Sequence, residues 1–212
     1  MPIPRIETAR LTLRGLRAAD RQPFAAMNGD PEVMRYMSRS LDRAASDLFL
    51  SRILEHWEMD GFGLWAIERR DDGAFLGFAG LSEPAFRAPF TPAIEVGWRL
   101  SRDAWGHGYA TEAGAAALRF GFEVLGLDEI VSFTAVRNER SRQVMERLGM
   151  THDPADDFEY PSVAPDHPIR RQVLYRISSE SRLERSESVE RRSGPPLTQG
   201  QSLAEGLSDF ER

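Results

Sequence analysis

Two glycines one residue apart, Gly106 and Gly108, stand where a strand-like run gives way to an alanine-rich helical pattern that begins near Tyr109. The N-terminus of a helix leaves its first backbone N–H groups unpaired and carries a partial positive charge, so it attracts anions. Glycine lets a loop curl there with no Cβ in the way. The pair therefore predicts a loop whose amides, from Gly106 to Thr111, converge on a phosphate. A plain tight strand-to-helix connection would use the same residues, and an isolated Gly-x-Gly does not separate the two readings. The third glycine of a dinucleotide fingerprint and the Gly-Lys-Ser/Thr of a triphosphate loop are both missing from the sequence.

Two other groupings have chemical capacity. In "IEVGWRL", alternation sets Glu95, Gly97 and Arg99 on one strand face against Ile94, Val96, Trp98 and Leu100 on the other. A glycine inside a strand marks a bulge or a close backbone approach. Asn138 and Ser141 lie one helical turn apart, on neighbouring ground. Asn138 is equally well placed as an ordinary N-cap, with Glu139 in the favourable first turn. His56, His107, His152 and His167 have no metal-ligand spacing to one another, so no metal is expected. With no cysteine in the chain, disulfides, thiolate metal sites and a cysteine nucleophile are excluded together.

Positioning these groups requires a sheet and helices. Residues 11–16 alternate as a half-buried strand, and residues 18–27 read as a short helix. A turn at Asn28, Gly29 and Asp30 follows, with Pro31 at a helix-starting position and Met34 and Met37 three apart. Leu50, Ile53, Leu54 and Trp57 recur at helical spacing within residues 42–57. Strands are predicted over 64–68, 75–81 and 93–100, the first two joined by the hairpin signal "RDDG". Ala113, Ala117, Phe120 and Val124 mark one face of a helix, residues 129–136 a buried strand, and residues 138–148 a helix stopped by Gly149. "YPSVAPDHP" reads as a loop and residues 170–177 as a last strand. The pattern is that of an α/β or α+β sheet with helices packed on it.

The chain has 212 residues, 41% hydrophobic and 28% charged, which suits one soluble domain. No apolar run approaches a membrane span and no secretory signal opens the chain, so a cytoplasmic location is expected. The net charge of −6 argues against nucleic acid or an anionic membrane as partner. All 27 basic residues are arginine. Past residue 177 the sequence turns to Ser, Glu, Arg and Gly, a composition that cannot bury enough surface to offset its ordering entropy, so residues 178–212 are predicted to be a disordered tail. Trp57, Trp65 and Trp98 are expected in the core, and Tyr160 and His167 on a surface loop that could border an acceptor site.

The run "WGHGYATEA", preceded by "IEVGWRL" and followed by "VRNERSRQVMERLGM", resembles the GNAT acetyltransferase family. "TARLTLR" and "DPEVMRYM" are similar to the openings of its ribosomal-protein N-acetyltransferase (RimJ/RimL) branch, and the likeness extends over residues 6–177. It implies the GNAT acyl-CoA N-acyltransferase fold, a mixed, mostly antiparallel sheet with helices on both faces, over residues 1–177. The family's pyrophosphate pattern, Gln/Arg-x-x-Gly-x-Gly/Ala, falls on Trp105, Gly106, His107, Gly108, Tyr109 and Ala110, with Trp105 departing from it. His107 sits at the variable position, facing solvent.

By the same resemblance, Asn138 and Ser141 face the pantetheine arm and thiol end of acetyl-CoA, and Ser141 protonates the departing thiolate. The strand around Val96 and Trp98 splays to receive the pantetheine, and an amide near Gly97 or Trp98 holds the thioester oxygen. Glu95 then orients the amine or takes its proton, the alternative being a cross-strand ion pair with an arginine. The implied reaction is direct attack by a primary amine, a protein N-terminus or a small molecule, on acetyl-CoA. A non-catalytic module that binds acetyl-CoA as a regulatory ligand is the competing class. Acceptor specificity is expected in residues 30–37, 83–92 and 156–168, in a monomer or homodimer.

Overall fold

Alternating apolar residues set the strands, and their register sets everything that follows. The computed structural model describes residues 2–161 and 163–181. Along the chain run β1 (Ile6–Glu7), β2 (Leu11–Arg14), α1 (Arg21–Gly29), α2 (Arg43–Asp60), β3 (Leu64–Arg69), β4 (Phe75–Ser82) and β5 (Glu95–Leu100). They are followed by α3 (Tyr109–Glu123), β6 (Glu129–Ala135), α4 (Glu139–Arg147), β7 (Thr151–His152), β8 (Phe158–Glu159) and β9 (Arg171–Ser178). The strands form one sheet in the order β1-β2-β3-β4-β5-β6-β9-β7, with β8 beside β9. Every pairing is antiparallel except β5 with β6.

The main core lies between the sheet and α3, where Trp65, Leu81, Val96 and Ile130 meet Ala113, Ala117 and Phe120. Small residues on that helix face let it lie close to the strands. Trp57 and Trp65 are buried with ring centroids 4.7 Å apart, in edge-to-face contact, as expected of core aromatics. On the opposite face, Phe24 of α1 and Phe49 of α2 pack against Phe78 of β4. The long helix α2 starts at Asp42, whose side chain accepts from the Ala45 amide at 2.8 Å, and stops at left-handed Gly61, φ 73°.

The buried ion cluster of Arg14 ties β2 to its neighbours. Arg14 donates to both carboxylate oxygens of Asp20, at 2.7 and 2.9 Å, and to Glu68 at 2.6 Å.

Several expectations change in three dimensions. Pro31 starts no helix: successive turns, Met34 N to Asp30 O and Met37 N to Met34 O, occupy the segment, while Asp30 Oδ1 accepts from the Glu32 amide and diverts the chain. Val124 is 66% exposed, because α3 ends at Glu123 and the chain turns away through Gly126, φ 68°. The strand expected from residue 93 begins at Glu95, and the short strands β1, β7 and β8 were not foreseen. The predicted tail starts too early, since Ser178 ends β9 and the Ser179 amide donates to Asp128 O at 2.9 Å. Its remainder, 182–212, lies outside the described residues.

Candidate active site

The glycine loop follows β5. Gly106 and Gly108 take φ values of 80° and 79°, in the left-handed region that favours glycine. A Cβ at Gly106 would meet nothing within 4 Å, so conformation rather than crowding requires glycine there. Gly108 caps α3, and the first helical bond is Glu112 N to Gly108 O at 3.1 Å. The amides of Tyr109, Ala110 and Thr111 therefore have no acceptor within the helix. The Thr111 hydroxyl is buried and unbonded. His107 is exposed, as expected, and its carbonyl accepts from Arg10 Nη1 at 2.9 Å.

Arg10 is one of several residues the sequence did not reveal. It pairs with Glu112 at 2.7 Å, and its guanidinium lies 4.8 Å from the Tyr109 ring centroid. Glu112 also accepts from Thr8 Oγ1 at 2.6 Å and from the Arg10 amide at 2.8 Å. Its carboxyl falls below the usual range; burial opposes that shift, and the Thr8 and Arg10 hydrogen bonds outweigh it. The turn between β1 and β2 thereby fixes the loop from outside.

Trp105, the departure from the family pattern, donates its indole N–H to the Leu100 carbonyl at 2.9 Å. The Arg140 guanidinium, from the first turn of α4, lies 4.6 Å from the Trp105 ring centroid. A cation thus returns to the loop from another element. No sequence signal pointed to Arg140, because the contact joins segments 35 residues apart in the chain.

Between loop and sheet, β5 and β6 separate. Their Cα register has a single pair, Glu95 with Val131, joined by Val131 N to Ile94 O at 2.9 Å. A residue's N–H and C=O leave the strand on the same side, so Ile94, Val96, Trp98 and Leu100 turn their backbone groups toward β6. The Val96 carbonyl accepts from Ser132 Oγ at 2.8 Å, in place of a ladder bond. Beyond it the strands diverge, leaving the Trp98 backbone facing the gap. Trp98 itself is partly buried and packs against the core, its ring near Gly114.

Asn138 is an N-cap and more. Its Oδ1 accepts from Ser141 N at 3.4 Å, while Nδ2 donates to Thr134 Oγ1 at 2.8 Å and to Ser141 Oγ at 3.0 Å. With Ser141 Oγ accepting, its own proton is free to be donated elsewhere.

Glu95 is partly buried, and among the described residues no arginine pairs with it, which removes the cross-strand reading. Burial pushes its pKa up to about 8. Tyr160, expected on a surface loop, is half-buried and electrostatically coupled to Glu95; burial first, and the Glu95 charge second, raise its own pKa. It packs with Phe86 at 4.6 Å and with Phe133 at 6.4 Å between ring centroids. Tyr36 joins it against Ala135, Val163 and Ile169, so segments 30–37, 83–92 and 156–168 all meet around Tyr160. His167 stays exposed.

This set of parts suits an acyl-CoA. The loop offers unpaired amides with Arg10 and Arg140 beside it, and the β5–β6 gap offers free strand edges for a peptide-like arm. Among the described residues no cluster of three His, Asp or Glu side chains exists for a metal, and no helix is long and apolar enough to cross a membrane.

Residues 10–151 match the acetyltransferase (GNAT) domain, and the chain belongs to that family. By class it is an acetyl-CoA-dependent acyltransferase. It is 33% identical over 159 residues to the FsC-acetyl coenzyme A-N(2)-transacetylase of Aspergillus fumigatus, covering 70% of this chain and 66% of that protein's length. An acetyltransferase structure from Agrobacterium tumefaciens is 29% identical with a TM-score of 0.68, over 84% of this chain and 96% of that one. The ribosomal-protein-S5-alanine acetyltransferase of Vibrio fischeri shares the fold at 16% identity, TM-score 0.67, over 84% and 97% of the two chains.

Proposed function

We propose that this protein transfers the acetyl group of acetyl-CoA to a primary amine by direct attack, in the manner of the RimJ/RimL branch. The observation that carries this reading is Glu95, without an ion-pair partner among the described residues, at the point where β5 and β6 part. The Gly106–Thr111 amides hold the pyrophosphate, with Arg140 adding positive charge. Ser132 and β6 engage the backbone of Val96, so the free edge at Trp98 pairs with the pantetheine, and the Trp98 amide stabilises the thioester oxygen as charge grows on it.

The amine nitrogen bonds to the thioester carbon and the C–S bond breaks. A carboxyl with pKa about 8 matches an α-amine of about 7.7–8.0, so proton transfer from the attacking nitrogen to Glu95 is nearly balanced. Ser141 gives its proton to the leaving thiolate and regains one from solvent. The acceptor class fitting this weak base is an α-amine or another amine of similar basicity, on a protein N-terminus or a small molecule.

Coenzyme A release on a panel of amines and peptides tests the reading. Turnover of any amine above the hydrolytic background is the expected result. Tight acetyl-CoA binding with no turnover across the panel would assign the chain to the non-catalytic class instead.

A further inference from the structure

Among the described residues a second group lacks a counter-ion: Arg99, partly buried on the same face of β5 as Glu95. Its Nη1 donates to Asn28 Oδ1 at 2.7 Å, and its Nη2 lies 3.2 Å from Met37 Sδ. The guanidinium stands over Phe78 and Phe49, 5.2 and 5.8 Å from their centroids. All four neighbours are neutral, and no ion pair to Arg99 forms among the described residues. Arg14, by contrast, is buried and holds two carboxylates.

Enclosing a charge without a partner is costly, and burial pulls the Arg99 pKa down to about 10. A guanidinium has five N–H donors, of which Asn28 and Met37 engage one each. Met37, 39% exposed, leaves that edge of the group open toward solvent.

Between Arg99 and Glu95 the strand is bare. A Cβ at Gly97 would meet only the Glu95 carboxyl, at 3.7 Å, and Gly80, its register partner on β4, lacks a side chain too. Four residues of strand separate the two Cα atoms by about 13 Å, and the side chains do not pair across that span. One strand face thus offers an acid, an open floor and a cation.

We propose that this face is a two-ended acceptor site, in which the amine lies at Glu95 and a carboxylate of the same molecule binds the Arg99 guanidinium. The acceptor class is an α-amine with a carboxylate several bonds from the nitrogen, as in a short peptide with a free C-terminus. This rests on the acetyl-transfer reading above. A bidentate carboxylate would satisfy the remaining donors and restore neutrality to the enclosed cation.

The test compares dipeptides and tripeptides with their C-terminal amides in coenzyme A release by the full chain. The carboxylate members should be favoured about tenfold or more in kcat/KM. In Arg99→Gln the ratio should fall toward one, and in Arg99→Lys it should be partly kept. Met37→Glu, which sets an internal acid beside the guanidinium and keeps Arg99 in place, should raise KM for the carboxylate members alone. Equal use of both members by the wild type, or a preference that survives Arg99→Gln, overturns the proposal. Calorimetric binding of N-acetylated dipeptides with free or amidated C-termini decides the Arg99 site independently of turnover. Absence of turnover with a retained free-carboxylate preference would overturn the catalytic reading alone; equal binding of both would overturn the site.

Discussion

Asn138 and Ser141 hold each other across the first turn of α4, the Asn138 side chain accepting from the Ser141 amide at 3.4 Å and donating to the Ser141 hydroxyl at 3.0 Å. The cap and the proposed proton donor are therefore one unit, and two substitutions separate their roles. Ser141→Ala should lower kcat modestly at all moderate pH while melting temperature and acetyl-CoA affinity hold, because a coenzyme thiolate is already a tolerable leaving group. Asn138→Ala should in addition destabilise the fold by about 1 kcal/mol through loss of the cap. Steady-state kinetics beside thermal melts would show it, and a Ser141→Ala enzyme with wild-type kcat would return the serine to a capping role.

Glu95 gives the clearest pH signature. With a carboxyl titrating at about 8, log kcat/KM should rise through that pH even for an acceptor whose amine is neutral throughout. Glu95→Gln should lower the rate and erase that ionisation. A wild-type pH profile in the variant would end the base assignment.

The same group predicts a change in stability. Its folded pKa, about 8, lies above an unfolded value of about 4.3. The unfolded chain loses this proton first as pH rises, so the contribution is present below about 4.3, declines up to about 8 and is flat beyond. Glu95→Gln should therefore melt progressively higher than wild type between pH 5 and pH 9, with the two converging at low pH. Melting curves across that range decide it.

Gly108→Asp should abolish acetyl-CoA binding in a folded protein. It forces a side chain into φ 79° and sets a negative charge at the head of α3, beside the amides proposed to hold the pyrophosphate. Calorimetry with circular dichroism separates lost affinity from lost fold, and unchanged affinity would remove the phosphate role.

Asp20→Ala should be the most damaging of these changes to the fold. Arg14 and Asp20 are 5% and 3% exposed, and removing the acid leaves the arginine with Glu68 as its one close carboxylate and with the Gly15 carbonyl. Breaking such a pair costs about 3–5 kcal/mol, a fall on the order of 10 °C in a domain of this size. A loss under about 1 kcal/mol in denaturant unfolding would show that water replaces the acid.

Local rules were enough for much of this molecule. Alternation set Glu95, Gly97 and Arg99 on one face of β5, helical spacing found the stripe of α2 and the buried face of α3, the Gly106–Gly108 pair marked the loop before α3, and capping chemistry marked Asn138 and Gly149, because each depends on residues within a turn or two. Pro31 and Val124 misled, since a side-chain turn at Asp30 and the early end of α3 overrode the local preference. Other features depend on segments distant in sequence: the stacking of Arg140 on Trp105, the approach of Tyr160 to Glu95 and the parting of β5 from β6. The isolation of Arg99 belongs with them. Whether a charge lacks a partner is settled by every chain segment that packs around it, so only the tertiary structure decides it.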